Sequence, residues 1–273
     1  MTILDEIIKY KRVEELPRRM QAREPAVVQA EAALAPAPKD FVAALRAGRK
    51  IALIAEVKKA SPSKGVLRPG FDPLDIAGTY AKHGAAGISV LTDAKYFQGK
   101  LEYLTQIRDH LQKLKGTKRP VLLRKDFIFH PYQVYEARAA GADALLLMAS
   151  VLNDQELADL LALAHKLQMA ALVEVHDREE VDRVLPLQPR LIGVNNRDLR
   201  DFSVDLNTCI TLRQHVPGDI CFVAESGIHT AADVARLSRE GIDAILVGEA
   251  LMKAKDVGQK VRELASIDRV AKT

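Results

Sequence analysis

Charged and amide side chains close several short apolar runs of this chain, which is a costly place for them if those runs are buried strands. Glu56 and Lys58 close one run, Lys125 a second, Glu174 a third, Asn195 and Arg197 a fourth and Glu225 a fifth, while Ser89 sits inside a sixth. Brought to one place, such groups could exchange protons with a ligand, and an arginine could hold an anionic group. The period of a strand puts Ile54, Glu56 and Lys58 on one face, and likewise pairs Leu123 with Lys125, Leu172 with Glu174 and Asn195 with Arg197. Glu56 and Lys58 alone are as well explained as an ion pair filling a buried layer. Recurrence in six runs calls for a shared mouth at which they converge. A second signal lies late in the chain, where Glu225-Ser226-Gly227-Ile228 and Val247-Gly248-Glu249-Ala250 each follow an apolar run with a glycine. Paired turns of this kind can present backbone N–H groups to a phosphate, and a phosphorylated ligand is expected there.

The elements that must position these groups form a regular βαβα rhythm after Gly48. Eight runs read as strands, at 51–58, 87–92, 120–127, 144–149, 170–176, 191–197, 220–226 and 244–248, with amphipathic stretches between and after them. Gly141-Ala142-Asp143-Ala144 and Gly241-Ile242-Asp243-Ala244 echo one another, each ending a helix with Gly and entering a strand. The expected fold is a (β/α)8 TIM barrel, residues 48–273, behind an N-terminal helical extension, residues 1–47. An open doubly wound sheet is the structural alternative, but the glycine fingerprint of its first turn is missing after the first run. Within the extension, residues 1–20 carry an amphipathic helical pattern interrupted at Pro17, an Ala- and Pro-rich segment follows, and Asp40 caps a short helix over 41–47. The apolar stripe of the leading helix must pack either over the mouth as a cover or on the outer ring as a strap.

Composition narrows the function classes. A chain of 273 residues with 48% hydrophobic and 28% charged residues has the balance of a globular protein with a sizeable core. The 40 basic and 36 acidic residues give a net charge of +4, too small and too interspersed for a nucleic-acid groove. The longest apolar stretch falls short of a membrane span and the first residues lack the apolar core of a signal peptide, so no membrane contact is expected. The two cysteines, Cys209 and Cys221, fit neither a disulfide framework nor a zinc spacing, and the reducing cytoplasm is the expected compartment. Among seven histidines only His176 lies near a strand end, where a turn or capping role is expected, and no metal site is expected. The charged stretch at 113–119 reads as a solvated helix end.

Residues 54–65, Ile-Ala-Glu-Val-Lys-Lys-Ala-Ser-Pro-Ser-Lys-Gly, closely resemble the first-strand signature of the indole-3-glycerol phosphate synthase family. The resemblance continues in order through Ser89-Val90-Leu91-Thr92, Arg124-Lys125-Asp126-Phe127-Ile128, Val173-Glu174-Val175, Gly193-Val194-Asn195-Asn196-Arg197-Asp198-Leu199, Ala224-Glu225-Ser226-Gly227-Ile228 and Gly248-Glu249-Ala250-Leu251-Met252. It spans essentially the whole chain, with Val57 and Lys59 standing where Ile and Arg are usual. It implies a carboxy-lyase of tryptophan biosynthesis that closes 1-(2-carboxyphenylamino)-1-deoxyribulose 5-phosphate to an indole with loss of CO₂ and water. It further implies Lys125 as general acid, Glu174 as general base, Lys58 as the cation holding the leaving carboxylate, and Glu56 as the group that orients and charge-balances the lysines. Asn195 and Glu225 would hydrogen-bond the reacting groups and Arg197 would hold carboxylate, with phosphate at Ser226, Gly227 and Gly248, and with Glu249 among the substrate-binding residues. Phe127 and Leu91 would wall the aromatic ring, and Ser61 and Ser89 would contact substrate. No cofactor is implied, since the aniline nitrogen itself activates the ring carbon; transient contact with neighbouring pathway enzymes is compatible with such a role. Competing readings are an aldose–ketose isomerase, a Schiff-base lyase using Lys58 or Lys125, and a catalytically silent phosphosugar-binding barrel.

Overall fold

The computed structural model describes residues 2–116, 119–198 and 203–270. Met1 of the leading helix, Thr117 and Lys118 of the charged stretch, Leu199 of the fifth motif and the last three residues of the barrel range lie outside them. Eight parallel strands close into a barrel: Ala52–Val57, Gly87–Leu91, Val121–Lys125, Ala144–Met148, Ala170–Val175, Leu191–Asn195, Cys221–Glu225 and Ala244–Val247. Each lies inside one of the eight expected runs, and the first strand pairs with both the second and the eighth. The two-residue period then sorts the side chains. Ala52, Ile54, Val121, Leu123, Ala144, Leu146, Leu172, Val223 and Leu246 fill the barrel interior, while alternate residues such as Leu53, Ala55, Leu122, Leu145 and Val173 pack outward against the helices. Glu56, Lys125, Glu174, Asn195 and Glu225 share the inward parity at the ends of their strands.

Local chemistry sets the helix ends. Asp72, Asn153, Asp177, Thr230 and Asp256 cap the helices that follow them with their side-chain oxygens. Gly141 and Gly241 follow helices Pro131–Ala139 and Ala231–Arg239 with φ of 84° and 73°, as the sequence echo requires. The echoed aspartates have matching tasks at the lower end. Asp143 accepts the Leu122 N–H at 2.8 Å and Asp243 accepts the Phe222 N–H at 3.0 Å, so each carboxylate ties its own strand to the preceding one.

The extension departs from its reading in two places. Pro17 does not interrupt the leading helical segment: Ile3–Tyr10 passes through a π-helical turn, Lys11–Glu15, into Leu16–Ala22, so the wider turn immediately before Pro17 carries the helix past it. A further helix, Pro25–Leu34, forms where no element was expected, and it packs on Pro131–Ala139 of the outer ring with Val28 and Ala32 buried. Phe41–Arg46, capped by Asp40 through the Ala43 N–H at 3.0 Å, places Phe41, Val42 and Leu45 in the inner cluster at the lower end of the barrel. Arg119 is not solvated as the charged stretch suggested; it pairs with Asp143 at 3.0 Å because strand closure brings it against that buried carboxylate.

Candidate active site

At the opposite end of the barrel the strand termini open into a cavity of about 1310 Å³, counting its open side. Its floor and walls are made by Glu56, Lys58, Lys125, Glu174, Asn195 and Glu225, with Ser61, Phe127, Arg197, Ser226, Gly227, Gly248 and Glu249 around them. Ser89 is placed differently. It pairs in register with Glu56 but sits fully buried below the cavity, with no partner for its hydroxyl among the described residues. Leu91, one step nearer the mouth on the same strand, does line the cavity.

Lys125 is the centre of the polar set. Its Nζ lies 3.2 Å from Glu174 Oε2 and 3.4 Å from Glu225 Oε2. The lysine side chain is 16% exposed and the Glu174 side chain 1%, so the pair lies at the cavity floor with the ammonium the more open of the two. Burial pulls the Lys125 pKa down, but the neighbouring Glu174, Glu225 and Glu56 carboxylates outweigh it and hold the ammonium protonated well above the usual lysine range. For Glu174, burial would raise the pKa, yet Lys125 and His176 together with hydrogen bonds from Lys125 and Asn195 keep it ionised below its ordinary value. Asn195 Nδ2 donates to Glu174 Oε1 at 3.4 Å, and its Oδ1 accepts the Arg197 N–H at 3.1 Å.

Glu225 behaves in the opposite way. Burial first, against the opposing pull of Lys125 and reinforced by the Glu174 and Glu56 charges, pushes its pKa up to about 8, toward the protonated form. Its Oε1 has no partner among the described residues, although the residue is only 2% exposed. A buried carboxyl with one idle oxygen on a cavity wall is ready to hydrogen-bond a ligand. Opposite it, Lys58 Nζ and Glu56 Oε2 are 2.6 Å apart, forming a second charge pair on the first strand.

The glycine turns supply space as well as backbone. Ser226 and Gly227 follow the seventh strand with φ of 66° and 76°, a conformation that Gly adopts freely and that serine rarely does. A Cβ at Gly248 would meet Glu56 Oε2 and crowd Lys58 Nζ, so any side chain there would displace that pair from its present geometry. Glu249 opens the short helix Glu249–Met252 and is ringed by Lys64 at 2.5 Å, Lys253 at 2.8 Å and Arg197 at 3.8 Å. Burial alone would raise its pKa; hydrogen bonds from Lys253 and Lys64 hold it down to about 2. Lys64 belongs to the two-stranded ribbon Ala60–Ser61 and Gly65–Val66 that follows the first strand, so this ion pair ties the ribbon across the rim.

Several residues at the site escaped the sequence reading. His176, read as a turn residue, does occupy a turn, with its N–H on Glu180 Oε2 at 2.7 Å, but its ring also lies 3.4 Å from Glu174 Oε1. Gly193 was visible only as part of a motif; a Cβ there would strike Glu225 Oε1 and Leu172, so its bareness makes room for the glutamate. Asn196 holds the sixth and seventh strand ends together through the Glu225 and Ser226 carbonyls at 2.9 and 3.2 Å. Phe97 joins Phe127 on the wall, ring centroids 6.1 Å apart, and Ile3, Leu4 and Ile7 of the leading helix complete it. Strand alternation has no hold on Phe97, which comes from a loop, whereas Ile3, Leu4 and Ile7 belong to the apolar stripe of the leading helix, expected either over the mouth or on the outer ring. Cys209 and Cys221 are both buried, away from the cavity lining. Among the described residues no group of three or more His, Cys, Asp or Glu is arranged to hold a metal ion, and no helix is long and apolar enough to cross a membrane.

Comparison with known proteins agrees with this geometry. The family model for Indole-3-glycerol phosphate synthase matches residues 4–264. An indole-3-glycerol phosphate synthase of Roseiflexus sp. (strain RS-1) is 54% identical over 266 residues, covering 96% of this chain and 98% of the relative. One from Albidiferax ferrireducens is 49% identical over 265 residues, covering 96% and 97%. Among solved structures, 3-hexulose-6-phosphate synthase from Salmonella typhimurium superposes with a TM-score of 0.64 at 13% identity, covering 79% of this chain and 97% of that one. Thiamine phosphate pyrophosphorylase from Pyrococcus furiosus gives 0.60 at 18% identity, covering 79% and 94%. At those identities the two structures share the fold alone.

Proposed function

The chain belongs to the indole-3-glycerol phosphate synthase family, and from that premise we propose how its own residues divide the chemistry. The reaction is that of a carboxy-lyase in tryptophan biosynthesis: 1-(2-carboxyphenylamino)-1-deoxyribulose 5-phosphate closes to indole-3-glycerol phosphate, losing CO₂ and water. The aniline nitrogen pushes electrons to the ring carbon that bears the carboxylate, and that carbon attacks the C2 carbonyl. A new C–C bond forms as the carbonyl becomes an alkoxide. Lys125 gives that oxygen its proton. Loss of CO₂ then restores the aromatic ring, and expulsion of the C2 hydroxyl as water, with loss of a proton from C1, completes the indole. Glu174 accepts that proton, while Lys58 first holds the departing carboxylate and then assists water to leave.

The observation that carries this assignment is the Lys125 ammonium between Glu174 and Glu225 at the cavity floor. The Glu174 carboxylate foremost keeps it protonated, the form from which an acid must start. The same field speaks against the Schiff-base reading, since a nucleophilic amine must be neutral. Protonated Glu225 is positioned to donate to the reacting oxygen, and Asn195 steadies Glu174. Arg197 is suited to a substrate carboxylate. The Ser226, Gly227, Gly248 and Glu249 backbone is suited to the phosphate, as it surrounds the rim after the last two strands. Phe127, Phe97 and Leu91 form an apolar wall for the aromatic ring, and Ser61 reaches the cavity from the ribbon. Residues 1–47 form the extension, with its first helix as a cover over the mouth and Pro25–Leu34 as a strap on the outer ring.

Incubation with the ribulose phosphate should yield indole fluorescence. Borohydride added during turnover should leave the protein unlabelled. Covalent trapping at Lys125 or Lys58 would replace acid catalysis with an imine mechanism, and absence of indole would remove the ring-closure reading.

A further inference from the structure

Lys11 takes no part in the chemistry above, yet it is only 1% exposed and surrounded by carboxylates. Its Nζ is 2.8 Å from Asp126 Oδ1, 2.9 Å from Asp93 Oδ2 and 3.1 Å from Glu15 Oε1. The three acids belong to three elements: the end of the third strand, the loop after the second strand, and the extension itself. Asp126 directly follows Lys125, and its Oδ1 also accepts the Phe127 N–H at 2.8 Å. Asp93 Oδ1 accepts the N–H groups of Tyr96 and Phe97 at 2.7 and 3.0 Å. The two carboxylates thus set the backbone of the two phenylalanines whose rings face each other on the cavity wall. Lys11 Nζ itself lies 5.9 Å from the centre of the Phe127 ring.

We propose that Lys11 is a positioning residue for the apolar wall of the active site, its ammonium joining Asp93 and Asp126 so that Phe97, Phe127 and the covering helix hold the substrate's aromatic ring. The local helix geometry supports this. Ile3, Ile7 and Lys11 recur at four-residue spacing, so one face of the leading helix carries Ile3 and Ile7 to the cavity and then Lys11 to the acid cluster, just before the π-helical turn Lys11–Glu15. Two aspartates buried this close repel one another, and Lys11 is the cation that touches both. Arg124, the other cation of the cluster, reaches Asp126 at 3.2 Å and Glu136 at 3.4 Å from the outer face of the third strand. Without Lys11 the Asp93 loop has no charge to hold it against Asp126, and the two phenylalanines lose their common reference.

Arg19 provides the internal control. It anchors the same extension through Glu15 at 3.1 Å and Glu136 at 2.7 Å, but contacts neither Asp93 nor Asp126. The inference rests on the ring-closure reading and is tested with the full chain and the ribulose phosphate substrate, well below the melting temperature of each variant. Lys11→Met should lower kcat/KM by roughly 10–100-fold, the scale expected when reacting groups are misplaced by about an ångström, and the loss should fall mainly on KM. Asp93→Asn keeps the shape and the amide-accepting oxygen while removing the charge, and should raise KM in the same direction even if Lys11→Met fails to fold. Arg19→Met should lower the melting temperature with KM unchanged. Unchanged KM in Asp93→Asn, or an equal rise of KM in Arg19→Met, overturns the proposal while leaving the ring-closure reading intact. A wild-type chain that forms no indole overturns both.

Discussion

The two ends of the barrel use buried carboxylates in opposite ways. At the lower end, Asp143 receives the N–H of Lys39 at 2.8 Å, the N–H of Leu122 at 2.8 Å and Arg119 at 3.0 Å. Asp243 receives the Phe222 N–H at 3.0 Å and Arg46 at 3.1 Å. Backbone donors fixed by the strands, together with arginines, answer both carboxylates. At the mouth, Glu56, Glu174 and Glu225 share Lys58 and Lys125, so the carboxylates outnumber the ammonium groups and Glu225 keeps a proton instead. A satisfied carboxylate fastens strands together; an unsatisfied one waits for substrate.

Substitutions at the two ends should therefore separate activity from stability. The largest effect is expected for Lys125→Ala, which should reduce kcat by about 10²–10⁴-fold, the usual range for a positioned acid or base, with the melting temperature little changed. A kcat close to wild type would move the acid's role to Lys58. Next in size, Asp243→Ala leaves the Phe222 N–H and Arg46 without their acceptor and should cost about 1–3 kcal/mol of stability with unaltered kcat. Denaturant unfolding and steady-state kinetics on the same sample check both halves of that statement, and a loss of kcat without loss of stability would erase the distinction between the ends.

A smaller change is expected from removing residues 2–10. Ile3, Leu4 and Ile7 leave the cavity wall while Pro25–Leu34 stays packed on the outer ring, so KM should rise with little change in melting temperature. Cutting further, through residue 39, would also take away the strap and a donor to Asp143. A fall in melting temperature alone after the shorter deletion would make the leading helix a strap as well.

The finest effect concerns pH. The Glu225 pKa is raised from 4.5 to about 8 in the folded protein, so the folded state binds the extra proton between those values. Its contribution to stability is complete below the lower value and is lost as pH rises through the upper one. Glu225→Gln mimics the protonated form and should flatten the decline of melting temperature over roughly pH 5 to 9. Parallel curves for the two proteins would mean that Glu225 is ionised throughout.

Much of this architecture is legible in the chain itself, because strand periodicity and helix capping are local. Six residues from Ala52 to Val57 suffice to place Ile54 and Glu56 on one face, since successive side chains of any strand point to opposite sides. The same reasoning located Lys125, Glu174, Asn195 and Glu225 at strand ends, and the Gly141 and Gly241 echoes at helix ends. Ser89 shows where that logic stops: parity turned it inward in register with Glu56, but its short side chain stays buried beneath the cavity that the longer glutamate lines.

What only the tertiary structure decided are meetings between residues distant in sequence. Lys11 looked like one more charge on an amphipathic helix until closure of the barrel set Asp93 and Asp126 around its ammonium. Gly193 is a plain strand residue until Glu225 needs the volume beside it. The proton on Glu225 likewise belongs to no single residue; it follows from burial next to Glu174 and Glu56 with Lys125 shared between them. Backbone geometry writes a side chain's direction into a few neighbouring residues, whereas its charge state and its partners depend on a field and a volume that exist only once distant segments have packed together.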